Sequence, residues 1–270
     1  MELLETTITP AEAGRIGHLN LLQFYRESPT WSRGGVVHEE AGTLLFATDS
    51  TYAVMMNGAF RSDDRADADH VVRRAREFFR ARGRGFSLWL REGDDEDLAG
   101  AATKAGLTEV LRYPEMLCFS RLETRDLADD VKIRRVATVE EALDFVAVNA
   151  QAYTIYGMPA EAIQEAFSAP ERMLCPHVVT VVAYVAGEPA AAALTIASHG
   201  IAGVYWVGTL DRFRGRGLGE AVTRAVTNAG FDLGARLNSL QASPMGEPIY
   251  RRMGYGEVFR YRIYTQFDAA

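Results

Sequence analysis

The sequence predicts an α/β (α+β) chain of two related halves, and three observations carry that expectation. Residues 204–210, VYWVGTL, form a short apolar run rich in aromatic and β-branched side chains, the signature of a buried strand. They lead into Leu218, Ala221, Val222, Ala225 and Val226, whose spacing marks one face of a helix. The third observation is internal similarity. GLTEVLRY at 106–113 and GYGEVFRY at 254–261 share Gly, Glu, Val, Arg and Tyr at an offset of 148 residues.

The elements follow in order. Strands are expected at 132–136, 178–185, 190–197, 204–210, 237–242 and 259–267, and helices at 139–152, 160–167, 218–226 and around Tyr250. Carried backwards, the offset lays HVVRRAREFFRARG (70–83) over the helix that follows residue 217, and FSLWLR (86–91) close to the strand after it. The acidic run GDDEDL (93–98) reads as a solvated helix start. The halves are expected to meet near residues 122–130, giving domains at 1–128 and 129–270.

The turn at 212–219 is the chemically distinctive place. Gly215, Gly217 and Gly219 permit positive φ and let a ligand approach bare backbone. The first N–H groups of the helix lack internal partners and carry partial positive charge, and Arg212, Arg214 and Arg216 add full charges. Such a place suits a polyanion, above all a pyrophosphate. It is not a Walker loop, since no Lys-Ser/Thr pair follows, and its glycines miss the dinucleotide spacing.

The pattern Arg214-x-x-Gly217-x-Gly219 resembles the Arg/Gln-x-x-Gly-x-Gly/Ala signature of the GNAT acetyltransferase superfamily. The later residues agree: a strand, Ser243 where many relatives carry asparagine, Tyr250 on a short helix, and the pair Gly254-Tyr255. The resemblance spans residues 131–270. It implies a mixed, mostly antiparallel sheet flanked by helices, with one splayed parallel strand pair. It implies that acetyl-CoA is the cosubstrate and an amine the acceptor. The pantetheine arm would add to the exposed backbone of Val207, Gly208 and Thr209, with Gly208 removing a side chain from its path. The pyrophosphate would lie on Arg214, Gly215, Arg216, Gly217, Leu218 and Gly219, with Ser243 nearby. Tyr250 is placed to protonate the departing thiolate.

The resemblance extends to tandem GNAT proteins, with a degenerate first copy. At the offset, Gly217 and Gly219 fall on Asp69 and Val71, Arg214 on Ala66, and Tyr250 on Ala102. The first segment carries Asp63, Asp64, Asp67 and Asp69, good helix caps but repulsive to phosphate. The first half is expected to pack against the second and shape the acceptor pocket. The chain is then a monomer with an internal pseudo-dimer, or a homodimer.

Composition bounds the alternatives. In 270 residues, 48% are hydrophobic, enough for packed cores. Net charge −7 argues against nucleic acid. No run reaches a membrane span, no secretory leader is expected at the N-terminus, and Cys118 and Cys175 give neither a disulfide framework nor a metal cluster, so a cytoplasmic protein without metal is expected. The proton acceptor is open: the strand 201–209 has no glutamate, and Tyr205, His199 and water are candidates. His177, Tyr153 and Tyr156 are candidates for the acceptor mouth, while Trp206 reads as core. The activity expected is N-acetylation of a small molecule; a non-catalytic CoA sensor and protein acetylation are the alternatives.

Overall fold

A computed structural model describes residues 8–268. The expectation about an N-terminal leader falls partly on residues 1–7, outside the described residues. The first half runs α1 (Pro10–Glu27), β1 (Val36–Glu40), β2 (Thr43–Ala47), β3 (Asn57–Arg61), α2 (Ala68–Arg80), β4 (Phe86–Arg91), α3 (Glu96–Lys104) and β5 (Thr108–Cys118). The second runs β6 (Val131–Arg135), α4 (Val139–Ala152), α5 (Ala160–Ala166), β7 (Val178–Val185), β8 (Glu188–Ser198), β9 (Ile201–Thr209), α6 (Leu218–Asp232), β10 (Asn238–Gln241), α7 (Glu247–Met253) and β11 (Gly256–Gln266).

The repeat is structural. β5 and β11 begin and end 148 residues apart, and each half has a parallel strand pair joined by a helix: β3–α2–β4 and β9–α6–β10. The helices have clear sequence causes. Thr9 and Thr138 cap α1 and α4 through their side chains, and Pro10 occupies the first turn of α1, where a missing N–H costs nothing. α2 has a narrow buried face (Val71, Val72, Ala75, Phe79) and an otherwise charged surface.

The halves do not keep two separate sheets. One eleven-stranded sheet runs in the order β1-β2-β3-β4-β11-β5-β10-β9-β8-β7-β6. The last strand of each half has crossed to the other: β11 pairs with β4 and β5, and β5 with β10 and β11. The strands carry similar patterns, so each can occupy the equivalent slot of the other half. Helix α1 lies across the seam, where Asn20 Nδ2 donates to the Ile196 carbonyl (3.1 Å) and to Ser198 Oγ (2.7 Å) in the second half. Trp31, Phe46, Phe60 and Tyr261 lie in the same buried cluster as Phe145, Leu194 and Ile196, so one core serves both halves.

Candidate active site

The site begins where β9 and β10 part. They pair in parallel only at Ala202–Asn238 and Gly203–Ser239. Beyond that, the edge of β9 toward β10 has no strand partner through Thr209 among the described residues. A bulge lies in the same stretch: Ala192 faces Gly208 while Leu194 faces Tyr205, so Trp206 and Val207 share one partner. Trp206 takes φ +55, a conformation costly for a bulky residue and held here by ring contacts with Tyr153 (4.9 Å) and Phe167 (5.2 Å).

A groove of about 400 Å3 opens from this gap toward α6. Its wall includes Val207, Gly208, Thr209, Arg214, Gly215, Gly217, Leu218, Gly219, Ser243 and Tyr250, so most residues expected from the sequence meet here. Gly215 (φ +77) and Gly217 (φ +75) need their positive φ, and Gly217 caps α6 without any side-chain hydrogen bond. The first amide groups of α6 are therefore left without a side-chain acceptor. Gly219 is closely packed rather than strained: a Cβ there would stand 3.1 Å from Thr209 Oγ1.

Two expectations change in detail. A Cβ on Gly208 would point at α4, 2.6 Å from Asn149 Oδ1 and 3.0 Å from the Ala152 Cβ. Glycine is required there by the close approach of a helix, not to clear the groove. Arg216 does not line the groove; it pairs with Asp130 at 2.8 Å. Arg212 likewise pairs with Glu188, while Arg214, 3.2 Å from Asp211, stays in the wall. Arg252 and Ile249 also line the groove, and nothing in their local sequence marked them.

A second cavity, about 420 Å3, continues from the groove. Tyr153, Tyr156, Val207, Ser243, Met245 and Tyr250 line both, and the Tyr156 hydroxyl lies 3.0 Å from Ser243 Oγ, joining the two banks. Much of its wall comes from the first half: Phe24, Tyr25, Tyr52, Met55, Trp89 and Tyr113. Sequence reasoning named none of these, since they come from α1, the β2–β3 connection, β4 and the exchanged strand β5 and meet only in the folded chain.

Tyr250 stands at the junction, half-buried. Burial first, then the neighbouring Tyr156, raises its hydroxyl above the ordinary tyrosine range, so it stays protonated and available as a donor. Tyr205 lines the second cavity, but its hydroxyl donates to Asn20 Oδ1 (2.7 Å) and burial raises it well above its usual value, which disqualifies it as a base. His199 sits in the β8–β9 turn and His177 faces Glu27 at 2.8 Å; neither lines the cavities. Beneath the cavity floor, the fully buried Glu115 accepts from Gln241 Nε2 (2.6 Å), and burial pushes its carboxyl up to about 8. Its other oxygen has no hydrogen-bond partner.

The described residues hold no cluster of three or more potential metal ligands, and no described helix is long and apolar enough to cross a membrane.

Comparison with known proteins places this architecture. Residues 120–242 match the Acetyltransferase (GNAT) domain family. Over the whole chain, the fold is similar to a GCN5-related N-acetyltransferase from Kribbella flavida, with TM-score 0.70 and 23% identity over 93% of this chain and 95% of that one. It is also similar to a tandem GNAT protein from the clavulanic acid biosynthesis pathway, with TM-score 0.62 and 12% identity over 97% of each chain. A GCN5-related N-acetyltransferase from Sphaerobacter thermophilus gives TM-score 0.60 and 16% identity over 84% of this chain and 77% of that one. No curated protein matches the sequence.

Proposed function

We propose that this chain, a tandem GNAT-fold protein with a GNAT acetyltransferase domain in its second half, moves the acetyl group of acetyl-CoA to the amine of a small molecule. The observation that carries the reading is the continuity of two cavities through Tyr250, one ending on bare helix amides and the other walled by apolar side chains.

The residues fit acetyl-CoA in three ways. The uncapped N-terminus of α6, with Gly215 and Gly217 at positive φ, offers N–H groups to a pyrophosphate. The free edge of β9 at Val207, Gly208 and Thr209 offers backbone groups to an amide-bearing arm. Ser243 and Tyr250 face the same space. When bound, acetyl-CoA supplies an activated acyl group as a thioester. The chain contributes the rest: β9 orients the reactive end toward the second cavity, and Tyr250 holds a proton where a departing sulfur needs one. General acid help of this kind is worth on the order of 10²–10⁴ in rate. A CoA-binding sensor is the second reading, favoured by one observation: no carboxylate lines the second cavity among the described residues.

Calorimetry and thermal denaturation with acetyl-CoA test the proposal. At about 100 times the dissociation constant, ligand should stabilise the fold by roughly 2.7 kcal/mol, a shift of several degrees for a chain of this size. Gly217→Val should abolish the shift while the protein remains folded, since valine is excluded from φ +75 at a helix cap. Absence of both heat and shift in the wild type would sink the acetyltransferase reading.

A further inference from the structure

Resting on that reading, we propose that the acceptor is an aromatic amine carrying no charge at neutral pH. The wall of the second cavity holds no Lys, Arg, His, Asp or Glu among the described residues. Its polar groups are tyrosine hydroxyls, the indole N–H groups of Trp89 and Trp206, Ser243, Gln241 and backbone, all of them neutral. The carboxylate closest in the network, Glu115, is wholly buried beneath the floor and bonded to Gln241, and a Cβ on Gly17 of α1 would stand 2.5 Å from its free oxygen. A polyamine or an aminocyclitol sugar would bring several ammonium groups into this space with no counter-charge, and desolvating an unpaired charge is among the costliest steps in binding.

The same absence bears on reactivity. An alkylammonium must lose a proton before its nitrogen can attack, and no side chain in the cavity accepts one. His199 and His177 lie elsewhere, and Tyr205 is committed to Asn20. A nitrogen attached to an aromatic ring delocalises its lone pair and is already neutral at pH 7. It needs no base in the first step. The transfer then balances without further groups. The amine nitrogen bonds to the acetyl carbonyl carbon as the carbon–sulfur bond breaks. The sulfur leaves with a proton from Tyr250, and the nitrogen releases one that returns to Tyr250 through water, giving an amide and a free thiol.

Shape agrees with charge. Phe24 is stacked on Tyr205 with ring centres 4.0 Å apart, and Trp89 is tilted against Tyr113 at 6.2 Å. Such walls offer ring faces and edges to a flat guest. The volume, about 420 Å3, suits one or two fused rings. Since Tyr52, Met55, Trp89 and Tyr113 belong to the first half, that half becomes the specificity element of the second.

The test is acetyl-CoA-dependent thiol release by the full chain with 4-methoxyaniline, 2-phenylethylamine, spermidine and kanamycin. The aniline should exceed spermidine and kanamycin in kcat/KM by about 100-fold or more, as expected where a second charge must be desolvated unpaired. Its kcat/KM should be flat from about pH 6.5 to 8.5, whereas an alkylamine should gain about tenfold per pH unit as its neutral fraction grows. Val54→Asp, in a turn at the cavity wall, should lower kcat/KM for the aniline at least about tenfold through the added desolvated charge. Acetyl-CoA binding heat retained by that variant would establish that it is folded. Spermidine or kanamycin as the best acceptor overturns the proposal, as does turnover confined to octanoyl-CoA, which would give the cavity to an acyl chain. Acetyl-CoA heat without turnover of any acceptor also overturns it. Absence of that heat overturns the acetyltransferase reading beneath it.

Discussion

At the end of β3 the first half places Arg61; at the end of β9, 148 residues later, the second half places Thr209. The two positions lead into equivalent strand–helix turns with opposite contents. In the first half the parallel strands stay paired as far as Phe60 and Trp89, and the space beyond is filled by ions. Buried Arg61 bonds Asp97 (2.7 Å) and Asp95 (3.4 Å), and buried Arg91 bonds Asp95 (3.0 Å) and Asp64 (2.6 Å). Asp67 caps α2 by accepting from the His70 amide (2.8 Å). In the second half Ser239 and Ser243 stand at the positions of Arg91 and Asp95, the strands part, and α6 has no side-chain cap. Of these two equivalent turns, the first satisfies its helix N-terminus with its own carboxylate and the second does not.

The comparison breaks most sharply on stoichiometry. A phosphate about 4 Å from one carboxylate is repelled by roughly 4 kcal/mol at an effective dielectric of about 20, nearly three decades in affinity. Titration calorimetry should therefore find one acetyl-CoA per chain, and a value of two would erase the distinction. Next in size is Asp95→Ala. Asp95 is 3% exposed and holds both buried arginines, so its loss should cost about 3 kcal/mol or more of folding stability. Acetyl-CoA affinity should stay unchanged in the surviving folded protein, and a loss of affinity instead would mean that the first turn shapes the second.

Glu115 sharpens the picture from beneath the seam. Its carboxyl titrates at about 8 in the fold, against about 4.5 when exposed, so the folded chain holds the proton more tightly. The favourable contribution is complete below about pH 4.5 and is lost as pH rises through 8. Relative to Glu115→Gln, wild-type stability should fall by up to about 1.4 kcal/mol per pH unit between these limits. Parallel denaturation curves for the two proteins would contradict a buried, proton-bearing Glu115. The smallest effect is the most specific. Tyr250 stands where the first half has Ala102, and Tyr250→Phe should lower kcat by about tenfold or more with little change in acetyl-CoA affinity. Unchanged kcat would hand the proton to water.

Most of the second half was legible because its signals are local. The strands at 178–185 and the helix at 139–152 have the bounds that periodicity predicts, and the glycine turn announces itself by composition. The offset also placed α2 and β4 correctly. What stayed hidden was long-range. β5 and β11 resemble each other so closely that sequence reveals their kinship but not which half each completes. The wall of the second cavity was hidden with them, because Trp89 and Tyr113 read as ordinary strand residues until the fold sets them in one wall with Tyr205. Arg61, Arg91 and Asp95 were illegible for a related reason: buried ions are recognised by partners across the fold, not by neighbours in sequence.

The crossed strands also constrain the order of assembly. β4 and β5 never touch as a ladder; the strand between them is β11, more than 130 residues further along. As the chain is synthesised, β4 and β5 emerge before the strand that will lie between them, so both keep bare backbone edges. They must wait for residues 256–266, and until then they are templates for any other strand. Closing so long a loop is slow, and a second nascent copy can offer its own β11 to the same slot. Refolding should therefore slow with increasing protein concentration and leave dimers linked by exchanged terminal strands, a kinetic by-product of the seam that joins the halves.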